Sequence, residues 1–201
     1  MVFSSLSFLI VFFPLLVLAF YVIPGKWKNV RQYILLIFSL VFYGAGEPIY
    51  IFLIIVCIFV SWLLSTYVKE QHKWALVLSL AINIAPLIIT KYSGFIVVNV
   101  CRVFGVTKIT VPNIVMPIGI SFYTFQVITY IVDLYAGKVD RQKNLFLFAL
   151  YIMFFPQLIA GPIVKYSEVE KAIENPVVNW DNVRYEVGRF IIGLGKKSAY
   201  C

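Results

Sequence analysis

One apolar stretch of the sequence carries polar and aromatic side chains at helical spacing. In "MPIGISFYTFQVITYIVDLY" (residues 116–135), three- and four-residue intervals place a set of side chains on one helix face. These are Tyr123, Gln126, Tyr130 and Asp133, with Thr129 at the edge. Because polar groups within membrane spans usually face the protein interior or a wet cavity, this face predicts a substrate channel or interhelical hydrogen bonds.

The second stretch that could do chemistry is "FFPQLIAGPIVKYSE" (residues 154–168). It places helix-breaking residues where a membrane helix should still cross lipid. Non-helical backbone at that depth is tolerated where it is buried in protein or borders a water-filled cavity. The break at Gly161-Pro162 therefore predicts a re-entrant turn beside a cavity, with Gln157 and Lys165 near its wall. The alternative is a kink that lets neighbouring helices pack.

Residue types for catalysis and metal binding are scarce. The only histidine is His72, and the cysteines Cys57, Cys101 and Cys201 have no metal-type spacing, so no metal site is predicted. Asp133 is the only acid inside an apolar stretch, and a carboxylate could act as a base. Nothing in the sequence orients Asp133 or supplies an activated nucleophile, so we predict no catalytic residue in this chain.

The composition indicates the elements that must position these residues. The chain has 201 residues, is 62% hydrophobic and 13% charged, and has a mean hydropathy of +0.92. Such sparse charge in long apolar runs predicts an integral membrane protein. The net charge of +8 does not indicate nucleic-acid binding, because the basic residues flank apolar runs, where they contact lipid headgroups and set topology.

The apolar runs predict an all-α integral membrane protein forming one membrane domain. About six spanning or re-entrant helices are expected within residues 1–161, and residues 162–201 should form interfacial helices and the start of a further helix. Residues 91–116 are too interrupted to span and should lie along the membrane or dip into it. The predicted spans are residues 3–23, 33–42 (half-buried or extending through "YGAGEP"), 49–67, 74–90, 118–135 and 145–160.

Basic residues between the spans predict the topology. They are concentrated in the first, third and fifth loops, which the positive-inside rule places in the cytoplasm, with the N-terminus outside. The second loop, "GAGEP", has no basic residue. The residues concerned are Lys26, Lys28, Arg31, Lys69, Lys73, Lys138, Arg141 and Lys143.

The tail is predicted to contain two short surface helices. "SEVE" (residues 167–170) fits a capping box, and Pro176 should stop the helix that it starts. A second apolar stripe follows, typical of a helix lying in the membrane interface. Its residues are Val183, Val187, Phe190, Ile191 and Leu194.

The polar stretches at residues 116–135 and 154–168, together with "FYGAGEP" and "GLGKK", resemble sequences of the membrane-bound O-acyltransferases, specifically the alginate O-acetyltransferase branch. The resemblance covers nearly the whole chain. It implies a multi-helix fold around a funnel in the bacterial inner membrane, with acetyl-CoA as the cytoplasmic acyl donor and no bound cofactor. It also implies extracytoplasmic acceptor proteins and an exported polysaccharide, such as alginate, as the final acceptor.

The sequence departs from the family pattern in its histidines. Members carry catalytic histidines in "RRWHITLS"-like and "WHG"-like motifs after "GLGKK", whereas His72 lies in the basic loop "KEQHKW" and matches no family motif. We therefore expect a fragment or truncated product that forms one wall of the funnel and is inactive alone. The alternatives are a non-enzymatic transporter and an accessory scaffold subunit.

Overall fold

The computed structural model describes residues 7–103, 116–159, 164–174, 183–189 and 192–193. These ranges are predominantly helical and contain no strand. We number eight helices in chain order, and residues 183–189 are also helical. The helices are α1 (Phe13–Val22, after a π-helical turn at Phe8–Phe12), α2 (Lys28–Gly46), α3 (Tyr50–Lys69), α4 (Lys73–Val103), α5 (Ile120–Tyr135), α6 (Leu145–Met153), α7 (Phe155–Ile159) and α8 (Tyr166–Glu174).

Within the described ranges, two helical segments are long and apolar enough to cross a membrane. They are Tyr50–Lys69 and Lys73–Asn99. A third is obtained if the helical stretches Phe8–Val22 and Gly25–Gly46, between which the chain turns by 107°, are counted as one bent span. The protein is thus an all-helical membrane protein, and the predicted number of about six spanning or re-entrant helices is not confirmed.

Helix α4 is longer than the sequence predicted. Residues 91–103 continue the helix, so the expectation of an interrupted segment is wrong for this part, and residues 104–115 lie outside the described residues. The helix also passes through Pro86, and the Thr90 hydroxyl donates to the Pro86 carbonyl at 2.8 Å. Proline and glycine are tolerated in membrane helices because neighbouring groups satisfy the freed backbone, so Pro86 and Gly94 do not end α4.

Arg31 joins α1 to α2. Its guanidinium donates from Nε and Nη2 to the Ile23 carbonyl at 3.0 and 2.6 Å, and it lies 5.0 Å from the centre of the Phe20 ring. The Ile23 carbonyl follows the last turn of α1, where backbone acceptors have no partner within the helix. Arg31 is buried within α2 and is therefore a structural cap as well as a topology signal.

A polar cluster that the sequence analysis missed joins three membrane helices. Asn83 of α4 donates from Nδ2 to the Ser61 hydroxyl of α3 at 2.7 Å. The Thr124 hydroxyl of α5 donates to the Asn83 carbonyl at 3.5 Å. All three residues are fully buried. Hydrogen bonds of this kind hold helices together where lipid provides no hydrophobic driving force.

The basic loops meet at one end of the helix bundle, which we call the basic end (residues 23–32, 69–73 and 135–145). Lys69 bonds to Asp140 at 2.8 Å, and the Gln71 amide donates to the Tyr135 carbonyl at 2.7 Å. Tyr33, next to the first loop, contacts the Phe146 ring with 5.3 Å between centroids. These contacts place loops one, three and five on one side, as their charges predicted.

The predicted span 145–160 is not one helix. α6 ends at Met153, Phe154 adopts a non-helical conformation, and α7 begins at Phe155. The cause is Pro156, which has no N–H to donate to the Ile152 carbonyl and whose ring would clash with it. The break thus precedes the predicted site at Gly161-Pro162, which lies outside the described residues.

Helix α8 returns beside α6. The Tyr151 hydroxyl donates to the Val164 carbonyl at 3.0 Å, and Glu174, at the other end of α8, receives a hydrogen bond from Gln142 at 3.1 Å. Each nine-residue helix is about 13 Å long, less than half of a hydrocarbon core of about 30 Å. We call α6, α7 and α8 together the hairpin, and both of its ends lie at the basic end, as expected of a re-entrant segment.

The capping box predicted for α8 is not formed. The helix starts at Tyr166, so Ser167 lies in its first turn and not at the capping position. The Glu168 N–H instead donates to the Lys165 carbonyl at 3.1 Å. In the second predicted tail helix, Val183 and Val187 are helical, while Phe190, Ile191 and Leu194 lie outside the described residues.

Candidate functional site

The tip of the hairpin is anchored on α1 and α2 by aromatic rings. The Phe155 ring lies 5.3 Å from that of Phe42 and 5.7 Å from that of Phe12. Its backbone N–H donates to the Ser39 hydroxyl at 3.3 Å, which satisfies a donor released by the helix break. The tip is therefore held by packing and by a backbone hydrogen bond.

The other side of the tip rests against the start of α5. Gly119 adopts φ +77°, and a Cβ built there would lie 2.6 Å from the Leu158 carbonyl oxygen. Only glycine fits both the left-handed conformation and this approach. The "PIG" sequence before α5 thus lets α7 lie directly on the helix that carries the predicted polar face.

This arrangement brings together two of the predicted site residues. Gln126 of α5 donates from Nε2 to Oε1 of Gln157 of α7 at 3.2 Å. The side-chain oxygen of Gln126, Oε1, is buried and has no hydrogen-bond partner among the described residues, and the same holds for the Tyr123 hydroxyl one turn earlier. An unpartnered buried polar atom is costly, so these two atoms are available to a substrate or to water.

A cavity of about 160 Å³ adjoins Gln157 on the α2 side of the hairpin. Its walls are apolar except for two amide side chains, Gln32 and Gln157. Gln32 lies at the basic end, where it donates to the Ile173 carbonyl at 2.7 Å. The cavity-lining residues are Gln32, Leu35, Leu150, Phe154, Gln157, Val169, Ala172 and Ile173.

Tyr130 belongs to a different polar group, centred on Gln142. The Gln142 backbone N–H donates to the Tyr130 hydroxyl at 2.9 Å, and its side-chain Nε2 donates to the Tyr166 hydroxyl at 2.8 Å. The Tyr130 ring also contacts those of Phe148 and Tyr166. Sequence analysis missed Gln142, because it lies in a basic loop without periodicity and its partners are distant in sequence.

The remaining predicted site residues lie apart from the Gln126–Gln157 pair. The Asp133 carboxylate is 3.6 Å from the Lys138 ammonium group at the basic end. Lys165 is exposed at the start of α8. The structure thus brings together Gln126 and Gln157, with Tyr123 one turn away, and places Tyr130, Asp133 and Lys165 elsewhere. Roles for all six in a substrate channel stay predictions.

The pKa values of two carboxyl groups, those of Asp140 and Glu170, are shifted in the folded protein. The hydrogen bond from Lys69, together with its charge, lowers the pKa of the exposed Asp140 carboxyl. Burial against the bundle raises the pKa of Glu170 on α8, and the negative charges of Glu174 and Asp140 raise it further. The position of Glu170 on α8 therefore disfavours its charged form relative to a fully solvated carboxyl group.

His72 lies in the turn between α3 and α4. Its side chain is half exposed, Nε2 is 3.4 Å from the Glu70 carboxylate, and its ring neighbours are Tyr67 and Trp74. Among the described residues, no group of three or more His, Cys, Asp or Glu side chains could hold a metal ion. His72 is thus a half-exposed residue of the turn.

Comparisons with known proteins agree on the class of protein. Residues 64–200 match the family model of the membrane-bound O-acyltransferases. The chain is 32% identical, over 98% of its length, to the Probable alginate O-acetylase AlgI of Azotobacter vinelandii and 31% identical to that of Pseudomonas aeruginosa. It is 28% identical to the Peptidoglycan O-acetyltransferase of Helicobacter pylori.

The chain covers 41%, 39% and 44% of the lengths of these three relatives, respectively. It therefore spans about two fifths of proteins of this kind. No solved structure matches the chain.

Proposed function

Because the chain belongs to the membrane-bound O-acyltransferase family, we propose that it forms part of an enzyme that O-acetylates an exported polysaccharide. The similarity to alginate O-acetylases over 98% of the chain supports a polymer of the alginate kind. The likeness to a peptidoglycan O-acetyltransferase supports acetyl transfer to a cell-envelope polymer more generally.

The observation that carries the proposal is the re-entrant hairpin with its paired glutamines. Transfer of an acetyl group at membrane depth needs polar groups that lipid cannot supply. Gln126 and Gln157 provide them at the hairpin tip, and the side-chain Oε1 of Gln126 is free, among the described residues, to accept a hydrogen bond from a substrate hydroxyl or amide. In this proposal, the hairpin and α5 form one wall of the passage.

We place the acyl donor on the cytoplasmic side, at the basic end. Acetyl-CoA carries several phosphate charges, and exposed cations at this end, including Lys73, Lys138 and Lys143, complement them. The positive-inside rule supports a cytoplasmic position for this end and an extracytoplasmic N-terminus in the bacterial inner membrane. The acetyl group then leaves on the opposite side, towards extracytoplasmic acceptor proteins and the polysaccharide.

In this scheme, residues 1–201 provide the wall, and the general base lies in the part of the family's length that this chain does not cover. Removing a hydroxyl proton during acetyl transfer calls for a base within hydrogen-bond reach. His72 is half exposed beside Glu70 at the basic end, across the membrane from an acceptor outside. It has no means of reaching that acceptor through about 30 Å of hydrocarbon.

A chimera tests this function. The matching segment of the Azotobacter vinelandii relative is replaced by residues 1–201, and alginate acetylation is measured in cells that lack their own enzyme. We expect acetylation to be restored, to fall about 100-fold or more with Gln157→Leu, and to stay within about two-fold with His72→Ala.

The proposal would be contradicted if the chimera is present in the membrane at a normal level but does not acetylate alginate, and if the chimera in vesicles instead transports a solute. That outcome would indicate a transporter. A ten-fold loss on His72→Ala would place the reaction at the wrong end of the bundle.

A further inference from the structure

Gln142, in the loop before the hairpin, takes part in five hydrogen bonds. It is 6% exposed although it lies in a loop between two charged residues. Its backbone carbonyl accepts from the Trp62 indole at 3.0 Å, and its Oε1 accepts from the Asn144 N–H at 2.9 Å. With the bonds to Tyr130, Tyr166 and Glu174, Gln142 joins loop five to α3, α5 and α8.

One atom of Gln142 contacts both ends of α8. Nε2 donates to the Tyr166 hydroxyl at 2.8 Å and to the Glu174 carboxylate at 3.1 Å. Tyr166 starts the helix and Glu174 ends it. The residues that α8 contributes to the cavity, Val169, Ala172 and Ile173, lie between these two.

Helix α8 is also held by hydrogen bonds from Gln32 and by ring contacts of Tyr166. Gln32 donates to the Ile173 and Glu174 carbonyls at 2.7 and 3.2 Å, and the Tyr166 ring contacts those of Tyr130 and Tyr151. The outer face of α8, with exposed Glu168 and Lys171, makes no ion pair with another part of the described chain. Val169 and Ile173 also pack against the apolar core, and the polar bonds at the basic end add to this packing in positioning the cavity wall.

We infer that Gln142 is a positioning residue that holds α8 as a wall of the cavity beside Gln157. It contacts no substrate and acts through Tyr166 and Glu174. The importance of this cavity for acetyl transfer rests on the proposed function, whereas the positioning itself does not. Without the Nε2 donor, α8 should separate from α5 and α6, and the cavity should open.

Thiol labelling measures this opening. A single cysteine replaces Leu150, a buried cavity residue on α6, in protein whose Cys57, Cys101 and Cys201 are changed to serine. The protein, purified in lipid nanodiscs, is labelled with a water-soluble maleimide. We expect Gln142→Leu to raise the labelling rate about ten-fold, because a hydrogen bond to a charged group is lost and local opening becomes more frequent.

Asn144 offers a matched control in the same loop. Its Oδ1 caps α6 by accepting from the Phe146 N–H at 2.9 Å, and its side chain makes no hydrogen bond to α8 among the described residues. Asn144→Ala should leave the labelling rate within about two-fold, since it loosens α6 without releasing α8. An equal rise in both variants would indicate general loosening and overturn the inference.

A second pair of variants leaves Gln142 in place and so preserves its bonds to α3 and α5. Glu174→Gln keeps an acceptor for Nε2 and should label at the parental rate, whereas Glu174→Leu should label faster. Equal rates in these two variants, or an unchanged rate in folded Gln142→Leu protein, would show that Gln142 does not position α8. Failure of the chimera to acetylate would instead count against the proposed function, so the two failures are distinct.

Discussion

At the scale of single residues, Gly119 is the position least able to accept a side chain. Alanine there would adopt φ +77° and place Cβ 2.6 Å from the Leu158 carbonyl oxygen. We predict that Gly119→Ala lowers the free energy of unfolding by about 2–4 kcal/mol, since backbone strain and a backbone clash add together. The measurement is the thermal midpoint of the purified protein in detergent.

Gly137 is a control that separates the effect of backbone strain from that of the backbone clash. Its φ is +69°, and a Cβ there would meet nothing within 4 Å. Gly137→Ala should therefore cost only about 1–2 kcal/mol, from the backbone conformation alone. Equal costs at both positions would mean that α7 does not lie against α5 as described.

Glu170 makes stability depend on pH. Because burial raises its pKa in the folded protein above the unfolded value, folding favours the protonated form. The stability that it contributes is present below the unfolded pKa and is lost as pH rises through the folded pKa. Glu170→Gln should raise the thermal midpoint at about pH 7.5 and have no effect near pH 4.

Glu168 is the control for this prediction, because it is exposed on the same helix. Glu168→Gln should leave the midpoint unchanged at both pH values. A lower midpoint for Glu170→Gln at neutral pH would contradict the buried position of Glu170.

At the scale of helices, the Asn83 cluster is predicted to hold α3, α4 and α5 together. Asn83→Leu removes the donor to Ser61 and should lower the free energy of unfolding by about 1–2 kcal/mol. Asn99 on the same helix is partly exposed, and its side-chain amide donates to the Phe95 carbonyl of its own helix. Asn99→Leu should change the midpoint little, and comparable losses in both variants would contradict an interhelical role for Asn83.

The sequence predicted helices well where apolar length decided them. α3 and α5 begin within two residues of their predicted starts, and α2 continues into "YGAGEP" but ends at Gly46, before the end of that sequence. The predicted boundaries of α4 and α6 were wrong because the effect of a proline or glycine on a helix depends on its structural surroundings, which residue type alone does not give. Pro86 and Gly94 are accommodated within α4, whereas Pro156 ends α6 several residues before the predicted break.

The candidate site was predictable only where local sequence pattern identified its residues. Helical spacing identified Gln126, and an interrupted apolar run drew attention to Gln157. Their direct contact depends on Gly119 and on the path of α7, which are tertiary features. Gln142 and Asn83 gave no signal, since their roles arise from partners that are remote in sequence.

At the scale of the whole molecule, the proposed passage depends on the path of the hairpin. A continuous helix over residues 145–160 would carry the following residues to the far side of the membrane. The observed break, with α8 packed back on α5 and α6, returns the chain to the basic end. In the proposed function this path keeps the glutamine pair and the cavity at membrane depth, so the proposed passage requires it.

Side-specific labelling of single cysteines tests this path most directly. Cysteines replace Lys143 before the hairpin, Lys171 within α8 and Glu47 in the loop between α2 and α3, and a membrane-impermeant thiol reagent is applied to intact spheroplasts or to inverted vesicles. We predict that positions 143 and 171 react from the cytoplasmic side and position 47 from the outside. Reaction of position 171 from the same side as position 47 would show that the chain crosses the membrane between α6 and α8, which contradicts the re-entrant hairpin.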